Sequence, residues 1–155
     1  MITGQSADVV VSARNLSRAF SLAGEEVLAV RDASVEILSG ELVAIIGRSG
    51  SGKTTLLNLL GGLDIPSSGT VFLGGHDLMS MSERERTQVR REKLGFVFQS
   101  FGLLPLLSAY ENVELPLRIV GMGRQDRDDR TRQVLDVVGL SHRLRHRPYE
   151  LSGGE

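Results

Sequence analysis

Apolar and polar positions follow different periods in different parts of this chain, and the changes of period mark out its elements. Val9-Val10-Val11 opens a strand that runs toward Leu16. After a turn-like patch from Ser21 to Glu26, Val35 and Ile37 alternate with Ser34 and Glu36, which predicts a second strand over Ala33 to Ile37. Leu42-Val43-Ala44-Ile45-Ile46 is apolar at every position, between a tight turn at Ser39-Gly40-Glu41 and a glycine-rich break from Gly47 to Gly52. A strand apolar on both faces is what a buried parallel sheet requires.

Thr54 to Leu60 resumes as a short apolar helix closed by Gly61-Gly62, and Thr70 to Leu73 reads as a short strand between turn residues. Ser82 and Glu85 have capping-box spacing and open a charged helix through Glu92; Ser108 and Glu111 repeat the device before Val113, Leu115 and Leu117. Pro116 is expected to kink or interrupt that helix. Leu94 to Phe98 is another apolar strand candidate, and Arg124 to Val138 a third helix, polar at its front and apolar at its back. Strands alternating with helices predict an α/β fold.

Composition narrows the class. Of 155 residues 18 are glycine, about 12% against a usual share of roughly 7%. Nine of the 18 lie between Gly40 and Gly75, where the backbone is expected to bend sharply or approach a ligand. With 41% apolar and 24% charged residues, disorder, a collagen helix and a disulfide scaffold are all excluded. The absence of cysteine removes thiol metal sites and thiol catalysis, and fits a cytosolic protein. No run of 18 apolar residues is present, and Met1 to Ser6 lacks the features of a signal peptide. A net charge of −1 gives no footprint for nucleic acid. His76, His142 and His146 have no metal-ligand spacing, and the mixed charges of Arg124 to Arg132 read as a solvated helix face.

Gly47-Arg48-Ser49-Gly50-Ser51-Gly52-Lys53-Thr54 matches G-x-x-x-x-G-K-[ST], with an apolar strand candidate before it and a helix after it. Glycines let the backbone curl so that N–H groups converge on phosphate oxygens, and the following helix aims its positive end at the same anion. Lys53 adds a point charge at the β and γ phosphates, and the Thr54 hydroxyl is placed to ligate Mg²⁺. The expected contacts to a nucleoside triphosphate are Gly47, Ser49, Gly50, Ser51, Gly52, Lys53, Thr54 and Thr55.

Three further elements carry a resemblance. Leu151-Ser152-Gly153-Gly154-Glu155 resembles the signature motif of ABC ATPases, with Glu where Gln is more usual. Phe96-Val97-Phe98-Gln99 is similar to the strand entering that family's Q-loop, and Phe20 stands 27 positions before Gly47, where the family has its adenine-stacking aromatic. A spacing of 100 positions from Gly52 to Ser152 fits the helical subdomain of a transport ATPase. Leu57 to Asp64, Leu94 to Gln99 and Glu111 to Leu117 are similar to the bacterial branch serving lipoprotein release and macrolide export.

The resemblance implies a P-loop α/β domain with N-terminal antiparallel elements, parallel core strands and a helical subdomain beginning at residue 99. It implies an ATP-binding subunit, using ATP and Mg²⁺, docked on membrane permease subunits at the inner face of the cell membrane. Gln99 would contact Mg²⁺ and the attacking water, and so stands with Lys53 as a catalytic candidate. Ser152, Gly153 and Gly154 would cover ATP held by a second subunit in a head-to-tail dimer. Phe101 to Leu107 reads equally as a surface facing the permease or as subdomain core.

The family pattern continues past the signature motif with an apolar strand ending in Asp, a catalytic Glu and a switch His. Neither Asp64, at a helix exit, nor Asp136, on a helix, ends such a strand. An incomplete ABC domain is therefore expected, one that binds Mg-ATP and turns it over poorly, with Leu42 to Ile46 and Leu94 to Phe98 partly uncovered and prone to aggregate. The rival classes are an ABC-type ATPase of DNA repair or chromosome maintenance, which the short spacing and lack of heptads disfavour, and a non-catalytic nucleotide-binding regulator.

Overall fold

Two 14-residue strands, β1 (Val9–Leu22) and β2 (Glu25–Leu38), pair antiparallel as a long hairpin, with Phe20 opposite Val27 and Ala13 opposite Val35. The computed structural model describes residues 8–22, 24–98 and 102–155, which divide into a unit within 1–95 and a unit within 96–155. β2 starts eight residues earlier than the alternation at Ala33 predicts. Its first half, apolar only from Val27 to Val30 between charged ends, pairs with β1 along its length, a tertiary effect that overrides the lack of alternation.

The hairpin's register shifts at four places, the second of them between Ala13 and Leu16. Asn15 (φ 52°) and Asp32 (φ 46°) both take the left-handed conformation there, and Asn15 Nδ2 donates to Asp32 Oδ1 at 2.8 Å. Asn and Asp are the side chains that tolerate this backbone best. β3 (Ser68–Leu73) adds to the other edge of β1, and the two-residue β4 (His76–Asp77) completes a four-stranded antiparallel sheet of order β2-β1-β3-β4.

α1 (Lys53–Leu60) lies against β1, β2 and β3, contributing Leu59 and Leu60 to a core with Ala13, Leu16, Val30, Val71 and Leu73. α2 (Glu83–Lys93) adds Val89 and opens on the Ser82–Glu85 capping box expected for it. Its Arg90 Nη1 donates to the Gly62 carbonyl at 2.6 Å.

The parallel core strands form differently from expectation. Neither Leu42 to Ile46 nor Leu94 to Phe98 joins a ladder, and both run outside any strand or helix. A parallel strand needs a hydrogen-bonded neighbour, and every strand pairing among the described residues is antiparallel within β1–β4. The side chains are accordingly uncovered: Leu42 is 97% exposed, Ile46 92% and Val97 fully.

In the second unit α3 (Ala109–Ile119) packs on α4 (Arg124–Val137), burying Ala109, Thr131 and Leu135. Ser108 and Glu111 form their capping box, and Pro116 sits inside α3, which continues past it to Ile119. Arg127 pairs with Glu114, and Tyr110 Oη donates to Asp128 at 2.6 Å while Arg132 lies over the Tyr110 ring. Short 3₁₀ turns follow at Ser141–Arg143 and Pro148–Glu150. Among the described residues no helix is long and apolar enough to cross a membrane.

Candidate functional site

The Gly47–Thr54 loop joins the exposed segment after β2 to the first turn of α1. Gly50 (φ 78°) and Gly52 (φ 85°) take left-handed backbone, and Gly52 is the N-cap of α1. A Cβ at Gly52 would lie 2.1 Å from the Ala29 carbonyl oxygen, so both the dihedral and the close approach to β2 demand glycine. The loop is thereby pinned to the hairpin at one point.

α1 differs from α2 and α3 at its start. Those helices close their first turns with Ser and Glu side chains; α1 has no side-chain cap and no acidic residue in its first turn. The N–H groups of Lys53, Thr54 and Thr55 therefore lack intrahelical partners and point their positive dipole end outward. Lys53 Nζ folds back over the loop and donates to the carbonyls of Gly47 at 3.0 Å and Arg48 at 2.7 Å. Among the described residues no carboxylate pairs with it. Left-handed glycines, an uncapped helix and an ammonium without a carboxylate partner among the described residues gather donors and positive charge at one place, a combination suited to a phosphate chain.

Phe20 is half-buried near the end of β1, opposite Val27. Ala29, against which Gly52 packs, is two residues along β2 from Val27, or about 7 Å. The hairpin thus carries the aromatic ring and the pinning point of the phosphate loop at neighbouring ladder positions. Two residues that the sequence did not mark as nucleotide contacts join this group: Arg18 lies over the Phe20 ring, Cζ 4.6 Å from its centroid, and makes a two-pronged ion pair with Asp64. Asp64 falls just past the end of α1. An Arg two positions before an aromatic on a strand is a same-face signal, but its carboxylate partner, 46 residues away, has no local signature.

In the second unit Ser152 N–H donates to Glu155 Oε2 at 2.9 Å and Glu155 N–H returns to the Ser152 carbonyl at 3.0 Å. Arg143 Nε donates to Glu155 Oε1 at 3.1 Å. The Ser152 backbone and hydroxyl, and then Arg143, hold the Glu155 carboxyl down at about 2. The Glu155 carboxylate thus reaches back to the N–H three residues before it, as those of Glu85 and Glu111 do at Ser82 and Ser108. Gly153 and Gly154 are exposed, and a Cβ at either would meet nothing within 4 Å. Gln99 and part of the Phe101 to Leu107 segment lie outside the described residues; Leu103, Leu104 and Leu106 are exposed.

A family model described as ABC transporter matches residues 30–155. The chain belongs to the ABC transporter family. Among its ABC relatives, an ABC transporter ATP-binding protein of Thermotoga maritima is 49% identical over 88% of this chain and 58% of its own length. The lipoprotein-releasing system ATP-binding protein LolD of Pseudomonas syringae pv. tomato is 48% identical over 94% of this chain and 64% of its own. The ATP-binding cassette MJ0796, solved as a dimer bound to ADP and Pi, superimposes with a TM-score of 0.85 at 39% identity, over 92% of this chain and 63% of that one. The chain thus spans about three-fifths to two-thirds of the length of the ABC proteins it matches.

Proposed function

We propose that this chain serves as the ATP-binding subunit of an ABC transporter of the lipoprotein-releasing type, and that the Gly47–Thr54 loop holds the ATP phosphates. The carrying observation is the loop itself: left-handed Gly50 and Gly52, the uncapped start of α1, and a Lys53 ammonium with no carboxylate partner among the described residues. Lys53 would exchange its two carbonyl partners for phosphate oxygens, a gain because the new partners are charged. Thr54, exposed in the first turn of α1, would offer its hydroxyl to Mg²⁺, and Gln99 would be its second protein contact. Mg²⁺ bound there would neutralise charge on the β and γ phosphates.

Two features support the rest of the reading. Among the described residues nothing lies within 4 Å of a Cβ built at Gly153 or Gly154, which suits an approach by a second subunit's nucleotide in a head-to-tail dimer. The exposed Leu103, Leu104 and Leu106 suit docking on a membrane permease at the inner face of the membrane. With Thr54 and Gln99 as the proposed protein contacts to Mg²⁺ and no carboxylate read in the sequence as the base for the attacking water, the 155 residues by themselves are proposed to bind Mg-ATP and turn it over poorly. Phosphate release by the purified chain tests this. Release at the buffer rate fits the proposal, and release above it that disappears in Lys53→Ala overturns it.

A further inference from the structure

We propose that Arg18 is a positioning residue for the nucleotide base: clamped by Asp64, it covers one face of Phe20 and leaves the other for stacking. The proposal rests on the reading of Phe20 as the base platform and goes beyond it by naming what sets the ring. Arg18 Nε and Nη2 donate to the two oxygens of Asp64 at 2.9 and 2.8 Å, a fork-to-fork geometry, and each side chain is only about a quarter exposed (25% and 26%). Asp64 is fixed in turn, since its Oδ1 accepts the Ile65 N–H at 2.7 Å and its own N–H donates to the Asn58 carbonyl at 3.2 Å. Asn58 belongs to α1, whose other end carries the phosphate loop. One short helix therefore holds both groups, the phosphate loop at its start and the aromatic ring, through Asp64 and Arg18, at its end.

A ring near a strand end and only half-buried samples several rotamers, and ordering it on binding costs affinity. The guanidinium above the ring removes that freedom beforehand and occupies one π face through its charge. The predicted signature is a change in base-dependent binding with phosphate binding intact.

The test titrates the chain and its Phe20→Ala, Arg18→Ala, Arg18→Lys and Asp64→Asn variants with Mg-ATP and with Mg-tripolyphosphate, which lacks the base. Arg18→Ala and Asp64→Asn should lose about three- to tenfold in ATP affinity and keep tripolyphosphate affinity within about twofold. Arg18→Lys, with the cation but without the fork, should fall between them and the parent, and it decides the matter if Arg18→Ala unfolds. Equal losses for both ligands would show a merely structural Arg18 and overturn the proposal. A loss of ATP selectivity in Phe20→Ala alone would overturn it while sparing the platform reading. Unchanged selectivity in Phe20→Ala would remove the platform reading and the proposal together.

Discussion

Gly52 has no room for a side chain because of Ala29: a Cβ would stand 2.1 Å from that residue's carbonyl oxygen, which belongs to the β2 backbone and cannot swing away. The same glycine sits at φ 85°. Gly52→Ala therefore meets two penalties, a left-handed backbone costing about 1–2 kcal/mol and a clash that must lift the loop from the hairpin. The expected outcome is a loss of at least about tenfold in ATP affinity, read by titration. Gly50→Ala, at φ 78° with nothing within 4 Å, should show the backbone penalty alone and be the milder of the two.

Acid stability should follow Glu83 and Glu155. Hydrogen bonds from Arg90 and then Arg86 hold the Glu83 carboxyl at about 2, and Ser152 with Arg143 does the same for Glu155, against an ordinary value of 4.5. Both are depressed in the folded state. Their stabilisation is therefore complete above about 4.5 and drains away as pH falls toward about 2. Glu83→Gln should flatten that limb of the stability curve, measured by denaturation at stepped pH, with little change in its slope above pH 5.

Thr131 is fully buried on α4, and its hydroxyl has no hydrogen-bond partner among the described residues. An unsatisfied buried hydroxyl costs about 1–3 kcal/mol, and an isosteric methyl removes that cost. Thr131→Val should leave the melting temperature unchanged or raise it. A fall of several degrees would mean that the hydroxyl is paired after all.

Leu59, on the helix that follows the phosphate loop, is fully buried. Leu59→Ala should cost about 2–5 kcal/mol of stability. Denaturant titration of the parent and the variant gives the difference directly.

Much of the site was legible in the sequence because its signals are local. The G-x-x-x-x-G-K-T spacing, the capping boxes at Ser82 and Ser108 and the glycine punctuation each act within a few residues, and the structure has the helix start at Lys53 and both capping boxes where the sequence puts them. What escaped depends on distant partners. The first half of β2 is held by β1, and the Arg18–Asp64 pair spans 46 residues. Leu42 to Ile46 is the converse case. Its composition reads as a central parallel strand, yet composition cannot supply a neighbour, and without a ladder partner among the described residues the segment lies open. Glu155, where Gln is more usual, closes its carboxylate on Ser152 and on Arg143, a partner 12 residues away that no local pattern marks.

The central claim, that the Gly47–Thr54 loop is a phosphate site, is tested most directly by calorimetric titration of the 155-residue chain with Mg-ATP beside Lys53→Ala. Saturable binding by the parent, at least about tenfold weaker in Lys53→Ala, is the expected result. No binding by a folded parent chain, or equal binding by the two proteins, would contradict it.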